Sequence, residues 1–153
     1  MYDRPTATEL LDAARMHLEN AVIPVVRENR KLYFQTLVAI NVMKIVEREL
    51  DLGYDHAQAE WERLNALEAV DTPLPGSLSQ IKAGLDDRNN TLADQIRAGD
   101  FAGSDKRGPL FDHLLTTSIE QLTVANPRFL GKMQQEMQDP SLDAWEGRND
   151  LDA

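Results

Sequence analysis

The apolar residues near the start of the chain recur at every third or fourth position between Leu10 and Val22. This period places side chains along one face of a helix, so it predicts a first helix over this stretch. Thr6 and Glu9 have the spacing of a capping box, in which two side chains bond to free amides at the start of a helix. Pro24 has no amide hydrogen to donate, and we expect the helix to end or kink there.

The most apolar part of the chain lies in a second predicted helix, over residues 29–52. Between residues 37 and 46 only Asn41 and Lys44 are strongly polar, a pattern typical of a helix surrounded by others. Gly53 follows, and glycine readily adopts the left-handed conformation that commonly ends a helix. We therefore expect this to be the central helix of the fold and to end at Gly53.

More helices are predicted by the same reasoning, because apolar residues keep the helical spacing and no stretch alternates like a strand. Prolines and a glycine in residues 71–76 indicate a connection. The predicted helices are a third capped by Asp55 and Gln58, a fourth from Ser77 to Gly99, a fifth over residues 111–125 and a sixth that begins at Asn126 and Pro127. The sequence predicts an all-α fold, an antiparallel helical bundle of five to six helices in a single domain over residues 3–138.

The composition adds charge to this picture. The chain of 153 residues contains 26 acidic and 16 basic residues, for a net charge of −10, and no cysteine. Such a charge repels nucleic acid and anionic lipid, so we expect neither as a partner. Residues 139–153 hold five acidic residues and a single arginine, and we expect them to form a loosely attached acidic tail.

The sequence also bears on location. The longest stretch without charge, residues 32–43, is too short to cross a hydrocarbon core of about 30 Å. The start of the chain has no cationic segment followed by an apolar run, which a secretory signal needs. The absence of cysteine favours a reducing compartment. We therefore expect a cytoplasmic protein without a membrane partner.

The residues that usually mark catalysis are scattered. His17, His56 and His113 lie far apart, and none follows a glutamate by three residues, so the Glu-x-x-His pairs of di-iron bundles are missing. Neither a phosphate-binding glycine loop nor a nucleophile elbow occurs in the sequence. We predict no metal, no cofactor and no catalytic constellation, although scattered residues can also assemble an active site.

Asn41 is the first candidate for a functional polar side chain. It lies four residues after Leu37 and four before Ile45, a spacing that aligns the three on one helix face and predicts a buried amide. An unpaired buried amide costs about 1–3 kcal/mol, so we expect a partner for it. One interpretation is a structural hydrogen bond that fixes the helix register. The other is a polar group that faces a ligand in a bundle pocket.

Glu47 and Glu49 form a second candidate site. Neighbouring helical residues point in different directions, so at most one of these glutamates faces the bundle interior. One interpretation is a solvated face with salt bridges. The other is a buried glutamate that pairs with Arg97 or Arg128 and orders the bundle.

Arg27, Arg30 and Lys31 cluster where the second helix is predicted to begin. Cations at a helix N-terminus oppose the helix dipole, which favours anions there. The cluster is either neutralised by Glu28 or a carboxylate of the first helix, or it binds phosphate or an acidic patch of a partner.

Four segments, taken in order, carry a family resemblance: Asp3-Arg4-Pro5 with Glu9-Leu10-Leu11, residues 38–50, Ile96-Arg97-Ala98-Gly99 and Asn126-Pro127-Arg128-Phe129. They resemble a small all-helical family of uncharacterised bacterial proteins, encoded near acyl-CoA dehydrogenases and kinases of the aminoglycoside-phosphotransferase type. The likeness covers about residues 3–130. It implies an accessory role with such a kinase in the phosphorylation of hydroxyacyl-CoA intermediates, and it supplies no catalytic residues.

Two hypotheses of different classes remain. In the first, which the resemblance suggests, the chain is a non-catalytic subunit that binds or completes a phosphotransferase-like kinase. In the second, it is a stand-alone bundle that binds a small molecule or acyl-CoA, or even an enzyme. An exposed apolar strip would favour the first, and an enclosed pocket lined by Asn41 and inward charges would favour the second. Self-association of the chain stays open in both.

Overall fold

The computed structural model describes residues 4–138 of the chain. Helices and their connections make up this part of the chain, and no strand occurs in it, so the fold is all-α as the apolar spacing predicts. The predicted acidic tail over residues 139–153 lies outside the described residues. The helices are α1 (Ala7–His17), α2 (Ile23–Val26), α3 (Arg30–Glu68), α4 (Leu78–Ala98), α5 (Ser104–Ala125) and α6 (Pro127–Met137).

Several helix ends follow the predicted caps. The amide of Glu9 donates to the hydroxyl of Thr6 (3.2 Å), and the amide of Thr6 donates to the carboxylate of Glu9 (2.8 Å), which completes the capping box of α1. The hydroxyl of Ser77 accepts from the amide of Gln80 at the start of α4, and Gly99 ends that helix with a left-handed φ of 89°. These ends are set locally, which is why the sequence predicts them.

The break predicted at Pro24 takes a different form. A π-helical turn, Leu18–Val22, joins α1 to α2, and the amide of Ile23 donates to the carbonyl of Leu18 five residues earlier. Pro24, which has no amide hydrogen to donate, is the second residue of α2 and directly follows this π turn. The helical path therefore passes Pro24 and ends at Val26.

The expected helix end at Gly53 is wrong. α3 is one helix of 39 residues, about 58 Å long at the usual rise per residue, and Asp55 and Gln58 lie inside it rather than at a cap. A glycine in a helix interior costs about 1 kcal/mol relative to alanine and does not stop the helix when flanking turns pack well. Trp61 and Leu64, which follow Gly53, are both buried. The helix ends instead at Ala69, which is left-handed at φ 54°.

Two helices run antiparallel to α3. Thr8 of α1 bonds to Asp51, and Glu19, in the π turn that follows α1, bonds to Lys44. Residue numbers therefore increase along α1 in the direction in which they decrease along α3. Along α5, Arg63 pairs with Glu120, whereas the earlier Arg48 bonds to the carbonyl of Val124. The directions of α1 and α5 relative to α3 therefore match the antiparallel arrangement that the sequence predicts.

α4 departs from the predicted antiparallel arrangement, because it runs in the same direction as α3. Glu49 pairs with Lys82, and Glu60 accepts a hydrogen bond from the side-chain amide of Asn89 at 2.8 Å. Residue numbers along α3 and along α4 therefore increase in the same direction. The connection before α4 makes this geometry possible because it returns along α3. The side chains of Trp61 and Asn65 both donate to the carbonyl of Thr72 (2.9 Å each) in this returning segment.

The core lies between the second half of α3 and α4. Its buried residues are Ala57, Trp61, Leu64, Ile81, Leu85 and Leu92. The first half of α3 is different, because among its described residues Ile40 alone is buried before Gly53. The expectation that residues 37–46 are surrounded by other helices is therefore wrong.

Candidate functional site

Exposed apolar side chains lie along the first half of α3. Phe34, Leu37, Val38 and Val42 are all exposed, and we call them the α3 apolar face. They follow one another at steps of one to four residues, and Phe34, Val38 and Val42 lie on the side away from the buried Ile40. α5 does not extend over them, because it ends at Ala125, near the level of Arg48.

A basic cluster lies at one end of this face. Arg27, Arg30 and Lys31 are exposed in the turn before α3 and in its first turn. Arg30 precedes Phe34 by four residues, which places the two side chains next to each other on the helix surface. None of the three cations has an ion pair within the described part of the chain, so the predicted neutralisation by Glu28 is not seen there.

At the other end of the face, α3 meets the corner between α5 and α6 in a cleft of about 530 Å³. We call it the junction cleft, and its lining residues are Asn41, Lys44, Arg48, Ala125, Asn126, Pro127 and Arg128. The sequence predicts the corner correctly. Asn126 caps α6 by accepting from the amide of Phe129 at 3.1 Å, and Pro127 takes the first helical position.

A hydrogen bond and an ion pair position two of the cationic side chains that line the junction cleft. Nε of Arg48 donates to the carbonyl of Val124 at 2.6 Å and ties α3 to the last turn of α5. Nζ of Lys44 lies 2.7 Å from the carboxylate of Glu19. The hydrogen bond from Lys44 holds the pKa of the Glu19 carboxyl below its usual range.

The prediction that Asn41 is buried is wrong. Its side chain is exposed at the mouth of the junction cleft. The spacing that aligns it with Leu37 is correct, but Leu37 is itself exposed, so the shared helix face is a surface rather than a core. The apolar pattern alone could not distinguish these two environments.

Of the two interpretations of Glu47 and Glu49, salt bridges on the helix face agree with the structure, and a pair with Arg97 or Arg128 is wrong. Glu47 is half-buried and bonds to Nε of Arg15 on α1 at 3.1 Å, and Glu49 pairs with Lys82 on α4. Arg97 is exposed and pairs with Asp94 in its own helix at 2.6 Å. Arg128 is exposed in the junction cleft. Both glutamates therefore join helices to α3, but through partners that sequence spacing does not identify.

The sequence prediction also omitted Lys44 and Arg48. Asn41, Lys44 and Arg48 step by three and four residues, which places them on one helix face. That spacing was the available signal for this wall of the cleft. The meeting of this face with Arg128, which lies 80 residues after Arg48 in the sequence, depends on the packing of α5 against α3 and could not be predicted.

A buried polar cluster lies between α3 and α5. Nη1 of Arg63 donates to Glu120 at 2.9 Å, and Nη2 donates to Thr117 at 3.2 Å. His113 is only 3% exposed, and neither ring nitrogen has a hydrogen-bond partner among the described residues. Burial, followed by the positive charge of Arg63, lowers the pKa of His113 below its ordinary value. The cluster is structural in character, because its ion pair joins two helices.

A second groove has acidic side chains that are mostly bonded already. A groove of about 470 Å³ between α3, α4 and α5 contains Glu49, Glu60, Asp86 and Glu120, of which three are already bonded to Lys82, Asn89 and Arg63. Within residues 4–138, no group of three histidine or carboxylate side chains is placed to hold a metal ion. None of the described helices combines the length and apolar content needed to span a membrane.

Comparison with known families gives a match over most of the chain. A family described as Domain of unknown function (DUF6285) matches residues 27–129. The chain belongs to the DUF6285 family. The match begins at the basic cluster and includes the α3 apolar face and the junction cleft, whereas α1 precedes it. No curated protein and no solved structure matches the chain.

Proposed function

We propose that this DUF6285 protein is a non-catalytic accessory subunit of a phosphotransferase-like kinase that acts on hydroxyacyl-CoA intermediates. The observation that carries the accessory role is the α3 apolar face, where Phe34 is 66% exposed beside three other exposed apolar side chains. Contiguous exposed apolar surface of this kind marks interaction sites in soluble proteins. The kind of partner rests on the family resemblance of residues 38–50 and of Asn126-Pro127-Arg128-Phe129.

The energetic argument favours a partner over solvent. Full burial of a valine, leucine or phenylalanine side chain contributes roughly 1.5–3 kcal/mol. The four side chains of the α3 apolar face retain about half of their surface in contact with water, so a partner gains a substantial part of that amount from each. A stable interface also needs roughly 1,000 Å² or more of buried surface. The neighbouring basic cluster enlarges the contact area and adds charge.

The basic cluster specifies what the partner presents. Arg27, Arg30 and Lys31 lie at the end of the face and are exposed, so they complement an apolar patch that is flanked by carboxylates. The rest of the chain is strongly acidic, which favours approach of the partner at this end. Raised salt is expected to slow association more than it weakens the largely apolar contact.

The alternative is a stand-alone bundle that binds a small molecule or acyl-CoA. Asn41 does line a cleft together with cationic side chains, as that hypothesis requires. The cleft is lined mainly by polar and charged side chains, whereas a site for the acyl chain of such a ligand would be mostly apolar. We therefore place the accessory role first.

The test uses a phosphotransferase-like kinase encoded near this gene. Mixed at tens of micromolar, the two proteins are expected to co-elute in size-exclusion chromatography and to phosphorylate a hydroxyacyl-CoA faster than the kinase alone. Phe34→Glu is expected to abolish both effects, since it places a charge in the apolar contact. Phe111→Glu on α5 is the matched control, because Phe111 is 63% exposed but lies outside the face.

Two results would contradict the proposal. Equal kinase activity with and without the protein, together with separate elution, would remove the accessory role. Loss of the complex with Phe111→Glu but not with Phe34→Glu would move the contact from α3 to α5.

A further inference from the structure

We propose that the junction cleft binds the phosphoryl group of a small molecule. The first observation is its charge. Among residues 4–138, the lining of the cleft holds Lys44, Arg48, Arg128 and two amide side chains but no carboxylate, although acidic residues outnumber basic ones in the chain by 26 to 16. The groove between α3, α4 and α5 has four carboxylates in its lining, so the junction cleft stands apart from its surroundings in sign.

The second observation is which donors are free. Lys44 is shared with Glu19, and Nε of Arg48 is bonded to the carbonyl of Val124. That leaves the two Nη groups of Arg48 and the whole guanidinium of Arg128 without partners within residues 4–138. Guanidinium groups present paired N–H donors in a fixed plane, and this fork matches two oxygens of a phosphoryl group.

The third observation is preorganisation. The bond from Arg48 to Val124 holds its guanidinium at 2.6 Å from the last turn of α5, so Arg48 loses little side-chain freedom when an anion binds. The amide of Phe129 in the first turn of α6 is already capped by Asn126, so the site depends on side chains and not on the helix terminus. The cleft volume of about 530 Å³ lies in the range of small-molecule sites.

The proposal is tested on the full chain alone, with inorganic pyrophosphate as the probe in low-salt calorimetry. We expect saturable binding that Arg128→Ala weakens about tenfold or more, as expected for the loss of hydrogen bonds to a charged group. Arg48→Lys keeps the charge but removes the fork, and is expected to weaken binding as well. Arg97→Ala is the matched control, since Arg97 is an exposed arginine at the far end of α4.

Three outcomes would overturn the assignment. They are the absence of saturable binding by the unaltered chain, an equal loss of affinity with Arg97→Ala and Arg128→Ala, and acetate binding as strong as that of pyrophosphate. The first removes the site, the second indicates general charge attraction, and the third indicates a carboxylate ligand instead. No kinase is present in this experiment, so a negative result would contradict only the proposed anion site. A negative result in the kinase experiment would contradict only the proposed accessory role.

Discussion

The two halves of α3, before and after Gly53, both carry apolar residues at helical spacing but lie in opposite environments. In the second half, Trp61 and Leu64 are buried against α4. In the first half, Phe34 and Val38 face solvent. The difference shows that apolar periodicity identifies the residues that are suited to burial. The packing of the helices determines which of these residues are in fact buried. Apolar residues left exposed by the chain's own fold are the ones available to a partner.

The first half of α3 is also held differently. Its contacts with the α1 path include ion pairs, in which Arg15 bonds to Glu47 at 3.1 Å and Lys44 to Glu19 at 2.7 Å. Partly exposed ion pairs contribute little to stability, commonly less than about 1 kcal/mol each. The second half instead buries a contiguous apolar core. We therefore expect the free energy of unfolding to come mainly from the second half.

The largest expected difference in stability is between alanine substitutions of one leucine in each half of α3. Leu64 is completely buried, and Leu64→Ala should lower the free energy of unfolding by about 2–5 kcal/mol, since it leaves a cavity. Leu37 is 41% exposed, and Leu37→Ala should cost less than about 1 kcal/mol because surface substitutions change stability little. Urea denaturation of both variants measures the two values. Equal losses would mean that the first half of α3 has its own core.

A pair of glycines tests the density of the core. A Cβ added at Gly84 would lie 2.7 Å from the ring of Trp61, which is buried and bonded to Thr72. Gly84→Ala should therefore destabilise the protein by about 1–3 kcal/mol through overpacking. A Cβ at Gly131 in α6 meets nothing within 4 Å, so Gly131→Ala should stabilise by up to about 1 kcal/mol. Thermal unfolding that gave both the same sign would contradict the packing described for Trp61.

His113 provides a pH-dependent comparison. Burial and Arg63 lower its folded pKa below the ordinary value of 6.5, against weaker opposing effects of Glu60 and Glu120. The unfolded chain then takes up a proton at a higher pH than the folded chain does. The contribution of His113 to the free energy of unfolding therefore decreases as the pH falls through 6.5. It stops decreasing below the pKa that His113 has in the folded protein.

His113→Leu removes this titration and both unpaired ring nitrogens. Replacing an unsatisfied buried polar group with an apolar one of similar size is nearly neutral or stabilising. We expect the variant to be at least as stable at pH 8, and its advantage over the unaltered chain should grow as the pH is lowered to 5. Parallel stability curves for the two proteins would show that His113 is not held neutral by burial.

The smallest effect is expected at Asn41. Its side chain is exposed, so Asn41→Ala should change the free energy of unfolding by no more than about 0.5 kcal/mol. Urea denaturation checks this value. A loss of 1 kcal/mol or more would restore the burial that the sequence pattern predicted and would contradict the open junction cleft.

Local features of the fold could be predicted from the sequence, and long-range ones could not. The Thr6 capping box, the left-handed Gly99 and the Asn126–Pro127 helix start depend on neighbouring residues, so their spacing is sufficient. The continuation of α3 through Gly53 depends on the packing of Trp61 and Leu64, which outweighs a weak local signal.

The candidate site shows the same limit. Arg30, Lys31 and Asn41 were identified from the sequence by their position on the second predicted helix, and all three are exposed on α3. Their relation to Arg128 and to the open apolar face depends on where α5 ends relative to α3. No spacing along the chain contains that information.

Amide hydrogen exchange along α3, measured with and without the kinase, tests the central claim most directly. In the free protein we expect amides of residues 34–46 to exchange faster than those of residues 57–64, because the first half lacks a buried core. Addition of the kinase should slow exchange in residues 34–46 and leave residues 57–64 unchanged. Uniform protection along α3 in the free protein, or new protection that is confined to α5, would contradict the account.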